Sequence, residues 1–264
     1  GAGPKPMFFR RSKAARGGSS EPFPDAWRQR LDLRWPLVTT LRDDERARLE
    51  SLIQVFLGRI RFEAAQGFTV TEEMELLVAA QACLLLASLD DPTLDLYSRL
   101  TSVILHPRTV VLKGAHHVGG ASGGLASDSA QTLSGQAVHR GPVVLAWSTL
   151  AFEARHHERG QNVVMHEFAH QLDMSDGMID GTPPIRDRAL RARWIEVCTA
   201  EFRRVRRGDE TALRGYAATD TGEFFAVATE TFFTRGAQLA VTAPDLYEVM
   251  QRFYGQDPAG RSGG

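Results

Sequence analysis

The sequence predicts an α+β fold, mostly helical, with a small mixed β-sheet and a helical N-terminal region. Three observations predict it. Apolar residues recur at helical spacing through the front of the chain. Short β-branched runs bounded by Pro and Gly follow. Helical patterning then returns and holds to about Tyr254.

Taken in order, residues 1–24 combine Gly, Ser, Pro and charge with little to bury, so disorder is expected. Gly1 to Pro6 reads as a cloning remnant, with Met7 the natural start. Residues 25–98 read as a helical region packed on the core. Within it, Leu49, Leu52, Ile53, Phe56, Leu57 and Ile60 predict a helix from Asp43 to Arg61. Thr69 and Glu72 form a capping-box pattern before a second apolar helix, running to about Ser88. Residues 99–258 carry the strands and the chemistry. LTSVILHP, RTVVL and GPVVLAW read as strands, and Gly114 to Gln136 as a mobile loop. Helices are expected again from near Arg159, and residues 259–264 form a flexible tail.

Composition excludes several classes. With 264 residues, 43% of them apolar, the chain can bury a core without staples. A net charge of -1 gives no global attraction to nucleic acid or to an anionic membrane. The most apolar stretch, Leu76 to Leu89, is shorter than the roughly 20 residues a membrane span needs. Cys83 and Cys198 offer no disulfide framework, and the basic N-terminus lacks the apolar core of a secretory signal. A cytoplasmic location is expected.

The chemistry begins at His166-Glu167-Phe168-Ala169-His170, an HExxH. Residues four apart share one helix face, so both imidazoles can reach one ion. Glu167 is rotated roughly 100° around the helix, where it can hold an attacking water. Two imidazoles with a carboxylate suit zinc, one ion per chain. A structural zinc would close with four protein ligands and favour Cys, and neither cysteine has ligand spacing. Asp173, seven residues after His166, returns to almost the same face. An acid in a helix's last turn needs compensation, and a hydrogen bond from the distal N–H of a ligating histidine would give it.

A third protein ligand is required, and no later histidine follows in metzincin spacing. Glu223 and Glu230 are the alternatives. They lie on one helix face but about 10.5 Å apart along its axis, so only one is expected on the ion. Glu223 could instead be a capping-box partner of Asp220. Spacing alone leaves the choice open. The pairs His156-His157 and His116-His117 read as polar lead-in and loop, and Arg203 to Arg207 as a solvated helix face.

Four segments carry a family resemblance: MHEFAHQLD (165–173), YAATDTGEFFAVATETFF (216–233), SGQAVHRGPVVLAW (134–147) and QRFYGQDP (251–258). In these the chain resembles the Mlc titration factor A family of bacterial zinc peptidases. That family is similar in turn to the catalytic domain of anthrax lethal factor. The resemblance implies a zincin-like, gluzincin-type metallopeptidase. It implies Glu223 as the third ligand beside His166 and His170, and Tyr216 over the developing oxyanion. Glu230 is then a supporting acid behind the ligands. The resemblance also implies aminopeptidase-like action on short peptides, with Glu167 as general base. The alternative is a regulatory binding protein that sequesters a transcriptional repressor, with peptidase activity incidental.

Overall fold

The computed structural model describes residues 22–65, 67–89, 94–108 and 141–261. The expectations for residues 1–21, the RTVVL run from Thr109, the segment 114–136 with His116-His117, and residues 262–264 fall outside them.

The chain opens with α1 (Asp25–Arg34) and α2 (Asp43–Arg59), followed by a short strand β1 (Phe62–Ala64) and α3 (Glu72–Leu84). Leu49, Ile53 and Phe56 form the buried stripe of α2, as the periodicity requires. Helix α3 is buried nearly all round from Leu76 to Leu84, which is why its apolar run shows no polar face. Its cap is Thr71 rather than Thr69: the Thr71 hydroxyl accepts from Met74 N–H at 3.4 Å. The helix also ends at Leu84, short of Ser88.

Strands β2 (Leu100–His106) and β3 (Gly141–Ala146) complete a three-stranded sheet in the order β1-β2-β3. All three described strands run parallel, where a mixed sheet was expected. Val103 stands opposite Val143 and Leu105 opposite Leu145, and all four side chains are buried. β1 was not foreseen, because three residues are too few to show a period.

Helix α4 (Trp147–Arg155) begins directly after β3, twelve residues before helices were expected to resume at Arg159. Leu150, Glu153 and Ala154 supply its buried face. Its first residue, Trp147, closes the apolar GPVVLAW run that was read as a strand.

The remainder is helical: α5 (Val163–Asp173), α6 (Arg188–Arg207), α7 (Thr221–Thr234), α8 (Gly236–Thr242), α9 (Pro244–Tyr254) and the short α10 (Pro258–Arg261). α5 packs between α3, α4 and α7. Val164, Met165, Phe168, Ala169 and Leu172 point into the core and are fully buried. Each large apolar side chain there contributes about 1.5–3 kcal/mol relative to exposure. Phe168 sits 4.9 Å from the Tyr97 ring and 5.8 Å from that of Phe56, so one aromatic cluster joins α5 to the front of the chain. α10 is held by an ion pair between Arg261 and Glu45 of α2, buried at both ends. No described helix is long and apolar enough to cross a membrane.

Candidate metal centre

The start of α5 is fixed by three neighbouring helices. Asn162 is the cap, its side-chain oxygen accepting from Met165 N–H at 2.9 Å. Its own backbone N–H donates to Glu230 of α7 at 2.7 Å, and its amide donates to Gln81 of α3 at 2.7 Å. Val163 N–H donates to Glu153 of α4 at 2.6 Å. A helix start buried this deeply needs such partners for its free N–H groups, and here it finds them in side chains.

One turn on, His166 and His170 face each other with Nε2 atoms 3.3 Å apart. Glu223, in the first turn of α7, closes the triangle. Its carboxylate lies 3.1 Å from His166 Nε2 and 3.6 Å from His170 Nε2. Asp220 caps α7 by accepting from Glu223 N–H at 2.9 Å, which leaves the Glu223 carboxylate free to turn toward the histidines. Glu223 is therefore no reciprocal capping-box acid: its backbone is capped while its side chain looks inward.

The donor set fits a metal ion. A carboxylate can only accept, so the 2.7 Å contact between His166 Nδ1 and Glu230 Oε1 places the ring proton on Nδ1. The Nε2 lone pair then faces Glu223 Oε2, which is buried and has no hydrogen-bond partner among the described residues. Two acceptors facing each other in the protein interior repel unless a proton or a metal ion lies between them. Tetrahedral bonds of about 2.0–2.1 Å would space ligand atoms roughly 3.3–3.4 Å apart. The two Nε2 atoms are 3.3 Å apart, and Glu223 meets His166 through Oε2 at 3.1 Å and His170 through Oε1 at 3.6 Å. Among the described residues these three form the only group of His, Cys, Asp and Glu side chains arranged to hold a metal.

The electrostatics agree. Burial disfavours charge on His166, but its contacts with Glu223 and Glu230 outweigh that and push its pKa up to about 10. Burial likewise opposes charge on Glu223, yet His166 and then His170 hold its carboxyl well below the usual range. The pocket stabilises positive charge at its centre.

The two acids of α7 divide the work that spacing left undecided. Both reach His166, one at each ring nitrogen: Glu223 at Nε2 and Glu230 at Nδ1. Tyr216 lies in a 3-10 turn, Gly215–Ala218, with its half-buried ring 6.3 Å from that of His166. Glu167 is half-buried on α5, close enough to add to the raising of the His166 pKa.

Asp173 departs from expectation. It was expected at the distal N–H of a ligating histidine, and at His166 that place is taken by Glu230. The Asp173 carboxylate instead accepts backbone N–H groups from Gly181 at 3.0 Å and Thr182 at 3.1 Å. It moors the loop after α5 against the start of α7, where Gly181 passes too close to the Thr221 carbonyl to carry a Cβ. Burial pushes its pKa up to about 6. His156 packs at a tilt against the Phe152 ring, outside the cluster. Arg204 pairs with Glu201 and Arg207 with Asp209, while Arg206 lies over the Phe202 ring.

Sequence reading missed Gln81, Glu153 and Arg214, which act across long separations and leave no local signal. Asn162 did have one, an N-cap residue directly before the apolar run of α5.

Comparison with known proteins places this chain in a family. The model of the glucose-regulated metallo-peptidase family M90 matches residues 9–255. The chain is 34% identical over 242 residues to the uncharacterized protein slr2042 of Synechocystis, covering 90% of this chain and 86% of that one. It is 33% identical over 235 residues to Mlc titration factor A of Edwardsiella ictaluri, covering 86% of each. Identity to Mlc titration factor A of Cronobacter sakazakii is 32% over 234 residues, 84% of this chain and 83% of the relative. The chain belongs to the glucose-regulated metallopeptidase family M90.

Proposed function

We propose that this protein is a zinc peptidase of the gluzincin type, with His166, His170 and Glu223 as ligands and Glu167 as general base. The observation that carries it is the convergence of His166 Nε2, His170 Nε2 and the Glu223 carboxylate, each within 3.6 Å of the other two. Zinc held there supplies Lewis acidity, polarising a peptide carbonyl and bringing the pKa of a water toward about 7.

The chain's own residues do the rest. Glu167 takes the proton from the attacking water and delivers it to the leaving amine. The Tyr216 hydroxyl donates to the developing oxyanion. Glu230 fixes the tautomer and orientation of His166, so that Nε2 faces the metal position. Asp173 holds the loop that passes the first turn of α7. The substrates are short peptides cleaved in aminopeptidase fashion, a reading supported by the family resemblance.

The relatives named Mlc titration factor A support a second reading: a regulatory protein that sequesters a transcriptional repressor. The test compares the zinc-reconstituted protein with Glu167→Gln on aminoacyl-nitroanilides and longer quenched peptides. Wild type is expected to turn over. The variant should keep its zinc and lose about 10²–10⁴-fold in rate. A wild type that holds zinc and cleaves nothing in either panel would sink the peptidase reading in favour of the binding one.

A further inference from the structure

Behind the ligands stands Glu230, almost fully buried and receiving three donors. Oε2 takes Asn162 N–H at 2.7 Å, while Oε1 takes His166 Nδ1–H at 2.7 Å and the Arg214 guanidinium. The first two donors are an amide and an imidazole. Arg214 is the donor whose charge depends on neither pH nor metal binding, and it reaches a region that also buries Glu153 and Glu223. The same guanidinium lies 5.8 Å from the centre of the Tyr216 ring. The Arg214 carbonyl also accepts Ala217 N–H at 3.0 Å, so its backbone shapes the turn that carries Tyr216.

We propose that Arg214 is a positioning residue of the metal centre: it locks the Glu230 carboxylate onto His166 Nδ1–H and steadies Tyr216 with the same planar group. The inference rests on the metal-site reading above. A carboxylate with two donors on one oxygen and one on the other has a single orientation that satisfies all three. Without the arginine it is a buried anion lacking a fixed counter-charge, free to rotate toward other donors. His166 would then lose the partner that aims Nε2 at Glu223. A lysine restores the charge but not the flat fork that touches both Glu230 and the Tyr216 ring.

The test measures metal binding rather than turnover. Zinc affinity by chelator competition, and the visible spectrum of the cobalt-loaded protein, are compared across wild type, Arg214→Met, Arg214→Lys, Glu230→Gln and the Arg214→Met/Glu230→Gln double variant. Arg214→Met should weaken zinc by about 10–100-fold and shift the cobalt spectrum. Arg214→Lys should recover part of the affinity. In the Glu230→Gln background, Arg214→Met should add little, because the arginine acts through that carboxylate. Wild-type affinity and spectrum in Arg214→Met, or full additivity with Glu230→Gln, would overturn the proposal. If Arg214→Met does not fold, Arg214→Lys with and without Glu230→Gln reads the same coupling. A wild type that binds neither metal overturns the metal-site reading instead. The proposal is then read from the hydrogen-bonded His166 Nδ1 proton by NMR, and its persistence in the Arg214 variants refutes it.

Discussion

The front helices and the α5–α7 pair handle their acids in opposite ways. On α1, α2 and α3 most carboxylates sit at the surface against arginines, as in Arg30–Glu72, Arg34–Glu73 and Arg48–Asp44. Around α5 and α7, Glu153, Asp173, Glu223 and Glu230 are buried. Each is met by a backbone N–H, a histidine or Arg214. Surface pairs of the first kind are worth at most about 1 kcal/mol, whereas a buried charge costs several unless it is met. A protein that buries four acids around two histidines is giving up stability for a local field. The difference separates charge kept for solubility from charge kept for chemistry.

Glu45 breaks this division most sharply, being a buried acid of the front region. It accepts Arg42 N–H at 3.0 Å and pairs with Arg261 at 2.7 Å. Glu45→Ala strands that arginine and is expected to cost about 3–5 kcal/mol in urea unfolding, with zinc affinity unchanged. Loss of zinc binding in a folded Glu45→Ala protein would show that the two regions are not separable.

Glu153 sharpens the comparison from the other side. Burial is the largest cause of its raised pKa, about 7 against an ordinary 4.5. A raised carboxyl pKa means that the folded state holds the proton more tightly than the unfolded state. Stability from this group is complete below about pH 4.5 and is lost as pH rises through 7. Glu153→Gln keeps an oxygen for Val163 N–H and removes the titration. It should gain up to about 2–3 kcal/mol over wild type at pH 8 and nothing at pH 4. Chemical denaturation at the two pH values checks this, and equal gains at both would contradict it. The smallest effect belongs to the surface: Arg30→Ala should change stability by less than about 1 kcal/mol, and less still in high salt.

What could be read from the sequence follows the range of the interactions. His166, Glu167 and His170 were legible because a helix places residues four apart on one face. The buried stripe of α2 was legible for the same reason. By spacing Glu223 and Glu230 were legible as a pair, and only the family resemblance implied how they divide the work. The gap of about 10.5 Å that set them apart is bridged by His166, which offers one nitrogen to each. The backbone partners of Asp173, Gly181 and Thr182, were not legible because they belong to a loop whose path no periodicity encodes. α4 was missed where its first residue closes a run read as a strand, and Arg214 sits between Leu213 and Gly215 with nothing local to mark it.

The most direct measurement is X-ray absorption at the zinc edge of the reconstituted protein, alongside Glu223→Ala. The account predicts one zinc per chain, with nitrogen and oxygen neighbours at about 2.0–2.1 Å, two imidazoles and no sulfur. It also predicts that Glu223→Ala loses the ion or a light-atom ligand. Sulfur in the shell, or a spectrum unchanged by Glu223→Ala, would place the metal elsewhere and contradict the centre described above.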